Sequence, residues 1–146
     1  MKRFSFPLDS YLNLLRHRLD AAAARLTELR GSKRESLQRS EALLQQSQDA
    51  LGQLSGEHIL TGSHLTGLDV WRSGLSKKAA DTRRAAVELD VPIEEAAVEV
   101  ASLRRRIELI DRMRKRRLSD HRRIADREAE QLAAELHLGS LRRRSV

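Results

Sequence analysis

Leucines at alternating steps of four and three residues constrain this chain more than any other feature of its sequence. Such spacing places side chains on one stripe of an α-helix, and the stripe stays in contact with a partner only if that partner is another helix. We call the stripe the seam and expect two helices to pack along it. Its members in the first half of the chain are Leu8, Leu12, Leu15, Leu19, Ala22, Leu26 and Leu29, and in the second half they include Leu103, Ile107 and Ile110.

The composition favours long helices over a compact core. Of the 146 residues, only 3% are aromatic and 34% are charged, which is typical of coiled coils. Five of the seven glycines lie between Gly52 and Gly74, and this cluster indicates that the chain turns back there. We therefore predict an all-α fold, an elongated antiparallel two-helix coiled-coil hairpin that forms a single domain over residues 1–146. The predicted parts are arm one at residues 6–54, a turn region at 55–67, a longer arm two at 68–138 and a basic tail at 139–146.

Two prolines mark expected helix starts. Pro7 suits the first turn of arm one, where a missing N–H costs nothing. Pro92 is expected to kink arm two or to start a new helix there, with Asp90 as the cap. If the arms pair from the turn outward, Leu8 lies near Arg114. Residues beyond about 115 then project past the N-terminus as a single basic helix.

The positive charge is concentrated in one stretch. The formal net charge is +7, and residues 104–123 contain ten Lys and Arg against three acidic residues. A cationic helix face favours an acidic partner, which could be nucleic acid, anionic lipid or an acidic protein surface. The alternative is a solvated helix face without a partner.

The sequence gives no indication of catalysis, a cofactor or a metal site. It has no cysteine, no glycine-rich phosphate loop and no Ser–His arrangement. His58 and His64 lack the spacing of metal ligands, and His121 lies at a seam position where packing is expected. No run approaches the roughly 18 apolar residues of a membrane span. Because the basic start of the chain is not followed by an apolar stretch, no signal peptide is expected, and we expect a cytoplasmic protein.

The chain begins with the motif Lys2-Arg3-Phe4-x-Phe6-x-Leu8-x-x-x-Leu12-x-Leu14-Leu15. Towards its end it has Leu109-x-x-x-Met113-x-Lys115-Arg116-Arg117, followed by Asp126-Arg127-Glu128-x-Glu130-x-Leu132. Together with the length, which provides two arms and a mid-chain break, these motifs resemble the FliJ family, the small coiled-coil component of the flagellar type III protein export apparatus. The family's usual acidic pair after the position of Leu132 is replaced here by Ala133 and Ala134.

The resemblance implies a non-enzymatic stalk whose free end enters and activates the hexameric flagellar export ATPase. It also implies contact with the export gate membrane protein, escort of export chaperones, and a location at the cytoplasmic face of the inner membrane. By resemblance, the residues expected to contact the export gate are Gln38, Trp71 and Leu75. Trp71 could instead fill space in the seam. Contact with the ATPase ring is expected from the basic overhang, which comprises Arg114, Lys115, Arg116, Arg117, Arg122 and Arg123.

Two other functions remain open at this point. One is the equivalent stalk of an injectisome, which the sequence separates poorly from the flagellar system. The other is nucleic-acid binding, since continuous basic helices can enter a major groove. Against it, the arginines share a helix with seam residues such as Ile107 and have no aromatic stacking platform. We expect a monomeric hairpin that has no transmembrane segment and does not bind nucleic acid.

Overall fold

The computed structural model describes residues 4–54 and 61–144, with side chains described at 4–50, 52 and 61–140. Within these ranges the chain is helical and has no strand. Helix α1 covers Asp9–Leu54, α2 covers Gly62–Glu88 and α3 covers Asp90–Arg144. α1 has 46 residues, whereas α2 and α3 have 27 and 55, so the second arm is the longer one. The predicted all-α helical hairpin is confirmed.

Contacts between residues divide the chain into two compact units. The first unit combines Met1–Leu19 with Ala101–Val146, and the second unit is Asp20–Val100. Both units contain a stretch of α1 and a stretch of the second arm. That the chain forms a single domain stays a prediction.

The second unit is an antiparallel helix pair with small residues at its centre. Lys33 forms an ion pair with Asp90, and the Ser40 hydroxyl donates to the Ala79 carbonyl oxygen at 2.9 Å. The contact partners therefore run in opposite order along the two arms. Because serine and alanine are short, a side chain of one helix reaches the backbone of the other. The buried residues of this unit are Ala22, Leu26, Ser40, Ser47, Leu75, Ala79, Ala86, Ala96 and Val100.

The first unit is also antiparallel, and its core follows the predicted seam except at one end. Its buried residues are Phe6, Leu12, Leu15, Leu103 and Ile110, while Leu19 and Ile107 are half-buried. Leu8 was predicted to lie in the seam but is 36% exposed. The buried apolar position at this end is taken by Phe6, because the chain before Asp9 leaves the helix and turns.

The helix ends differ from the sequence expectations in three places. α1 begins at Asp9, so Pro7 precedes the helix, in a turn that the Asp9 N–H closes on the Phe6 carbonyl oxygen at 3.1 Å. α2 begins at Gly62 instead of residue 68, because Thr61 is extended and its carbonyl oxygen accepts the N–H groups of His64 and Leu65. α3 continues through Gly139 to Arg144, where a tail was expected. Of the expected turn region, residues 55–60 lie outside the described residues, and so does His58.

Pro92 lies in the first turn of a new helix, the second of the two outcomes that we expected. α3 begins at Asp90, so the missing N–H of Pro92 falls where no helical partner exists. Leu89 separates α2 from α3 but keeps a right-handed helical conformation, with φ −73° and ψ −11°. The Ile93 N–H donates to the Leu89 carbonyl oxygen at 3.0 Å. Asp90 was expected to cap the helix, but its carboxylate instead pairs with Lys33.

Candidate functional site

The N-terminal segment, residues 4–8, packs against α3 in the first unit. Phe6 is buried, and the guanidinium carbon of Arg117 lies 5.9 Å from the centre of its ring, which is within cation–π range. The Phe4 ring meets His121 edge to face, with ring centres 5.5 Å apart and planes inclined at 68°. His121 is thus a packing residue, as its seam position predicted.

Our sequence reasoning missed that Phe6 is a core residue and that Phe4 packs against the second arm. The signal that could have found them is their i, i+2 spacing ahead of Pro7. In an extended segment this spacing places both rings on the same side of the chain. Phe4 and Phe6 could therefore have been assigned to one face that packs against the second arm.

Two ion pairs join α1 to α3 in the first unit. Asp9 Oδ1 lies 3.0 Å from Arg114 Nε, and Asp111 Oδ1 lies 3.3 Å from Arg16 Nη2. The first pair agrees with the expectation that Leu8, next to Asp9, lies near Arg114. Because these side chains are half-exposed, each pair contributes about 0–1 kcal/mol to stability. The two ion pairs therefore help to determine which residues of α1 and α3 lie side by side, and they add little to the free energy of unfolding.

The overhang begins later than the sequence predicted. Contacts from the N-terminal segment reach His121, about six residues beyond the expected limit near residue 115. The reason is that residues 4–6 are not helical, and an extended chain advances about 3.3 Å per residue against 1.5 Å in a helix. From Arg122 to Ser140, the described side chains of α3 are exposed, apart from half-buried Ala125 and Gly139.

The six predicted ATPase-contact residues divide into two groups. Arg114 and Arg117 contact Asp9 and Phe6, so they belong to the hairpin itself. The other four are exposed and form no ion pair with any described residue: Lys115, Arg116, Arg122 and Arg123. These four residues are called the basic face below. Four unpaired cations within nine residues of one helix produce a field that attracts an acidic partner.

The three residues expected to contact an export gate have unequal exposure. Leu75 is only 8% exposed and packs in the helix pair of the second unit, so it does not offer a partner surface. Trp71 is 49% exposed and therefore does not fill the seam. Gln38 is exposed and lines a cleft of about 490 Å³ with Leu37 and Ile93.

Gln38 and Trp71 do not share a cleft. Arg72, which follows Trp71, lines a separate cleft of about 350 Å³ with Leu44 and Ser47. The Arg72 Nε atom is buried there without a hydrogen-bond partner among the described residues. Of the predicted gate residues, Trp71 is thus the exposed aromatic side chain, and Leu75 is a core residue.

Among the described residues, no three His, Asp or Glu side chains cluster as a metal site would require. None of the described helices is both long and apolar enough to cross a membrane.

The fold and the basic face define a helical hairpin protein whose longer arm has a cluster of exposed cations at residues 115–123. No protein-family model, no curated protein and no solved structure matches the chain.

Proposed function

We propose that this protein is the soluble stalk of a type III protein export apparatus, of the flagellar kind that its sequence resembles. In this role it is not an enzyme. It inserts the free end of its hairpin into the hexameric export ATPase and raises the rate of ATP hydrolysis. It also links the ATPase to the export gate membrane protein and escorts export chaperones at the cytoplasmic face of the inner membrane.

The observation that carries the proposal is the basic face on α3. Its four cations are exposed and unpaired, on a helix that continues past its last contact with the N-terminal segment. Arg122 and Arg123 lie on the part of α3 beyond that contact, where their charges can attract an acidic channel. Long-range attraction then steers the stalk into the ring without a rigid set of contacts.

Trp71 supports the second part of the proposal, which is contact with the export gate. Trp71 is 49% exposed, and tryptophan is enriched among the residues that contribute most of the binding energy at protein interfaces. In this proposal Trp71 is the anchor, Gln38 adds a separate polar contact, and Leu75 holds α2 in place from the core.

The direct test is ATP hydrolysis by the export ATPase of the same organism, with and without the full-length protein, at low and moderate salt. We expect stimulation of several-fold, which weakens as salt screens the basic face. Reversing two charges with Arg116→Glu and Arg123→Glu should abolish most of the stimulation. The matched control reverses Arg25 and Arg39, which are exposed on α1, and should stimulate as the wild type does.

The same experiment separates the alternatives. Absence of stimulation at every salt concentration contradicts the stalk proposal. Binding to duplex DNA at about 50 mM salt, weakening steeply as salt rises, would assign the same arginines to phosphate contacts. Stimulation of an injectisome ATPase in place of the flagellar one would keep the stalk role and change the system.

A further inference from the structure

The outer face of the second arm in the second unit has a second regular stripe. It lies opposite the seam and again advances by steps of four and three residues: Ala80, Arg84, Val87, Val91, Glu94 and Val98. All six residues are exposed, and Val91 and Val98 are each 64% exposed. We call this set the outer stripe. Its spacing is that of a seam for another helix.

The outer stripe is continuous although it crosses from α2 into α3. Leu89, between the two helices, keeps helical dihedral angles, and the Ile93 N–H bonds back to its carbonyl oxygen. The faces of the two helices therefore stay aligned across the junction. From residue 80 to residue 98 the stripe is about 27 Å long.

Charge is segregated along this stretch. Residues 77–84 contain four basic residues and one acid, whereas residues 85–100 contain five acids and no base. Of the five acids, Asp90 is paired with Lys33, and the other four are exposed without an ion pair among the described residues. Arg84 has only a contact of 3.6 Å with Asp81, one turn away. Along the outer stripe, Val87 and Val91 lie between Arg84 and Glu94.

We propose that the outer stripe binds a second copy of this chain in antiparallel orientation, with the two-fold axis near Leu89. The charge order of the stripe selects this occupant, because a stripe that is basic at one end and acidic at the other complements itself when reversed. A parallel copy would instead place Arg84 on Arg84 and Glu94 on Glu94.

In the antiparallel pair, each residue of the outer stripe lies opposite a residue of the other copy's outer stripe that is compatible in charge or polarity. Val87 of one copy lies against Val91 of the other, and Ala80 lies against Val98. Arg84 of one copy faces Glu94 of the other. The two-fold symmetry makes every one of these contacts twice.

The pairing is expected to be weak. A helix face of this length lies at the small end of specific interfaces, so we expect a dissociation constant on the order of tens of micromolar. The dimer replaces the monomer expected from the sequence, and it uses no residue of the first unit. It is therefore independent of the proposed stalk function.

The test is sedimentation of the full-length chain across a concentration series. We expect a shift from monomer to dimer that reverses on dilution. Two variants then probe the register: Arg84→Glu and Glu94→Arg. Each variant alone sets like charges against each other twice and should weaken the dimer more than about tenfold. Mixed in equal amounts, the two variants should form a heterodimer, because every facing pair is again of opposite sign.

Matched controls keep the outcome interpretable. Both side chains are exposed, so far-UV circular dichroism of each variant should match the wild type. Reversing Arg25 and Arg39 on α1 should leave the dimer intact. A wild-type chain that stays monomeric to about 1 mM overturns the proposal. A dimer that persists in both variants, or variants that fail to pair when mixed, overturns it equally.

Discussion

Two neighbouring leucines on α1 provide the sharpest test of the seam. Leu15 is 0% exposed in the core of the first unit, whereas Leu14 is 46% exposed. Both changes to alanine remove the same atoms from the same helix, so their effects on helix propensity are equal. Leu15→Ala should lower the free energy of unfolding by about 2–5 kcal/mol, because it removes buried apolar surface and leaves a cavity. Leu14→Ala should cost less than about 1 kcal/mol.

The measurement is urea unfolding followed by far-UV circular dichroism, with Trp71 fluorescence as a second probe. Trp71 is the chain's single tryptophan and lies in the second unit, whereas Leu15 lies in the first. If the units unfold together, both signals shift by the same amount in Leu15→Ala. If they unfold separately, only the circular dichroism signal shifts. Equal losses for the two alanine variants would refute the assignment of Leu15 to the seam and Leu14 to the surface.

Three further substitutions test local details of the hairpin. Gly31→Ala should stabilise the protein by up to about 1 kcal/mol in thermal unfolding, because alanine favours the helix and the added methyl group meets no atom within 4 Å. A loss of stability would show that the space around residue 31 is not open. A double-mutant cycle on Asp9→Ala and Arg114→Ala should give a coupling energy of no more than about 1 kcal/mol that falls with added salt, and a salt-independent value would count against an exposed pair. Ser40→Ala should cost about 1 kcal/mol through the lost bond to the Ala79 carbonyl oxygen, and unchanged stability would show that the bond does not form.

Seam periodicity predicted the helix pairing because burial follows the repeat wherever both arms are helical. Leu12, Leu15 and Leu26 are buried as their spacing requires. The pattern failed at Leu8, one residue before α1 begins, because a helical period has no meaning where the backbone is not helical. There an i, i+2 spacing applies, and it places Phe6 in the core.

Exposure of the candidate site could be predicted only in part. The repeat places Leu75 on the seam, and resemblance places it on a partner surface, but one side chain cannot be buried in the hairpin and also bind outside it. The structure buries Leu75. For the arginines, the number of charges can be counted from the sequence, but the residues that each arginine contacts cannot. Arg114 and Arg117 contact the N-terminal segment because the start of the chain lies against α3, and a count of charges along one helix contains no such information.

The two surfaces proposed here differ in their charge balance, and this difference identifies the kind of partner. On the basic face, four exposed cations lie within nine residues and form no ion pair with a described residue. Asp120 is the one acidic residue among residues 115–123, so an excess of positive charge remains that an acidic partner would neutralise. On the outer stripe, bases and acids are both present but separated along the helix. A reversed copy of the same stripe then matches every charge and adds no net charge. An excess of positive charge on one face therefore indicates a different, acidic partner. Charges of both signs that are separated along a helix, with apolar residues between them, indicate a second copy of the chain. Charge reversal on the basic face should reduce ATPase stimulation without changing dimerisation, and reversal on the outer stripe should do the opposite.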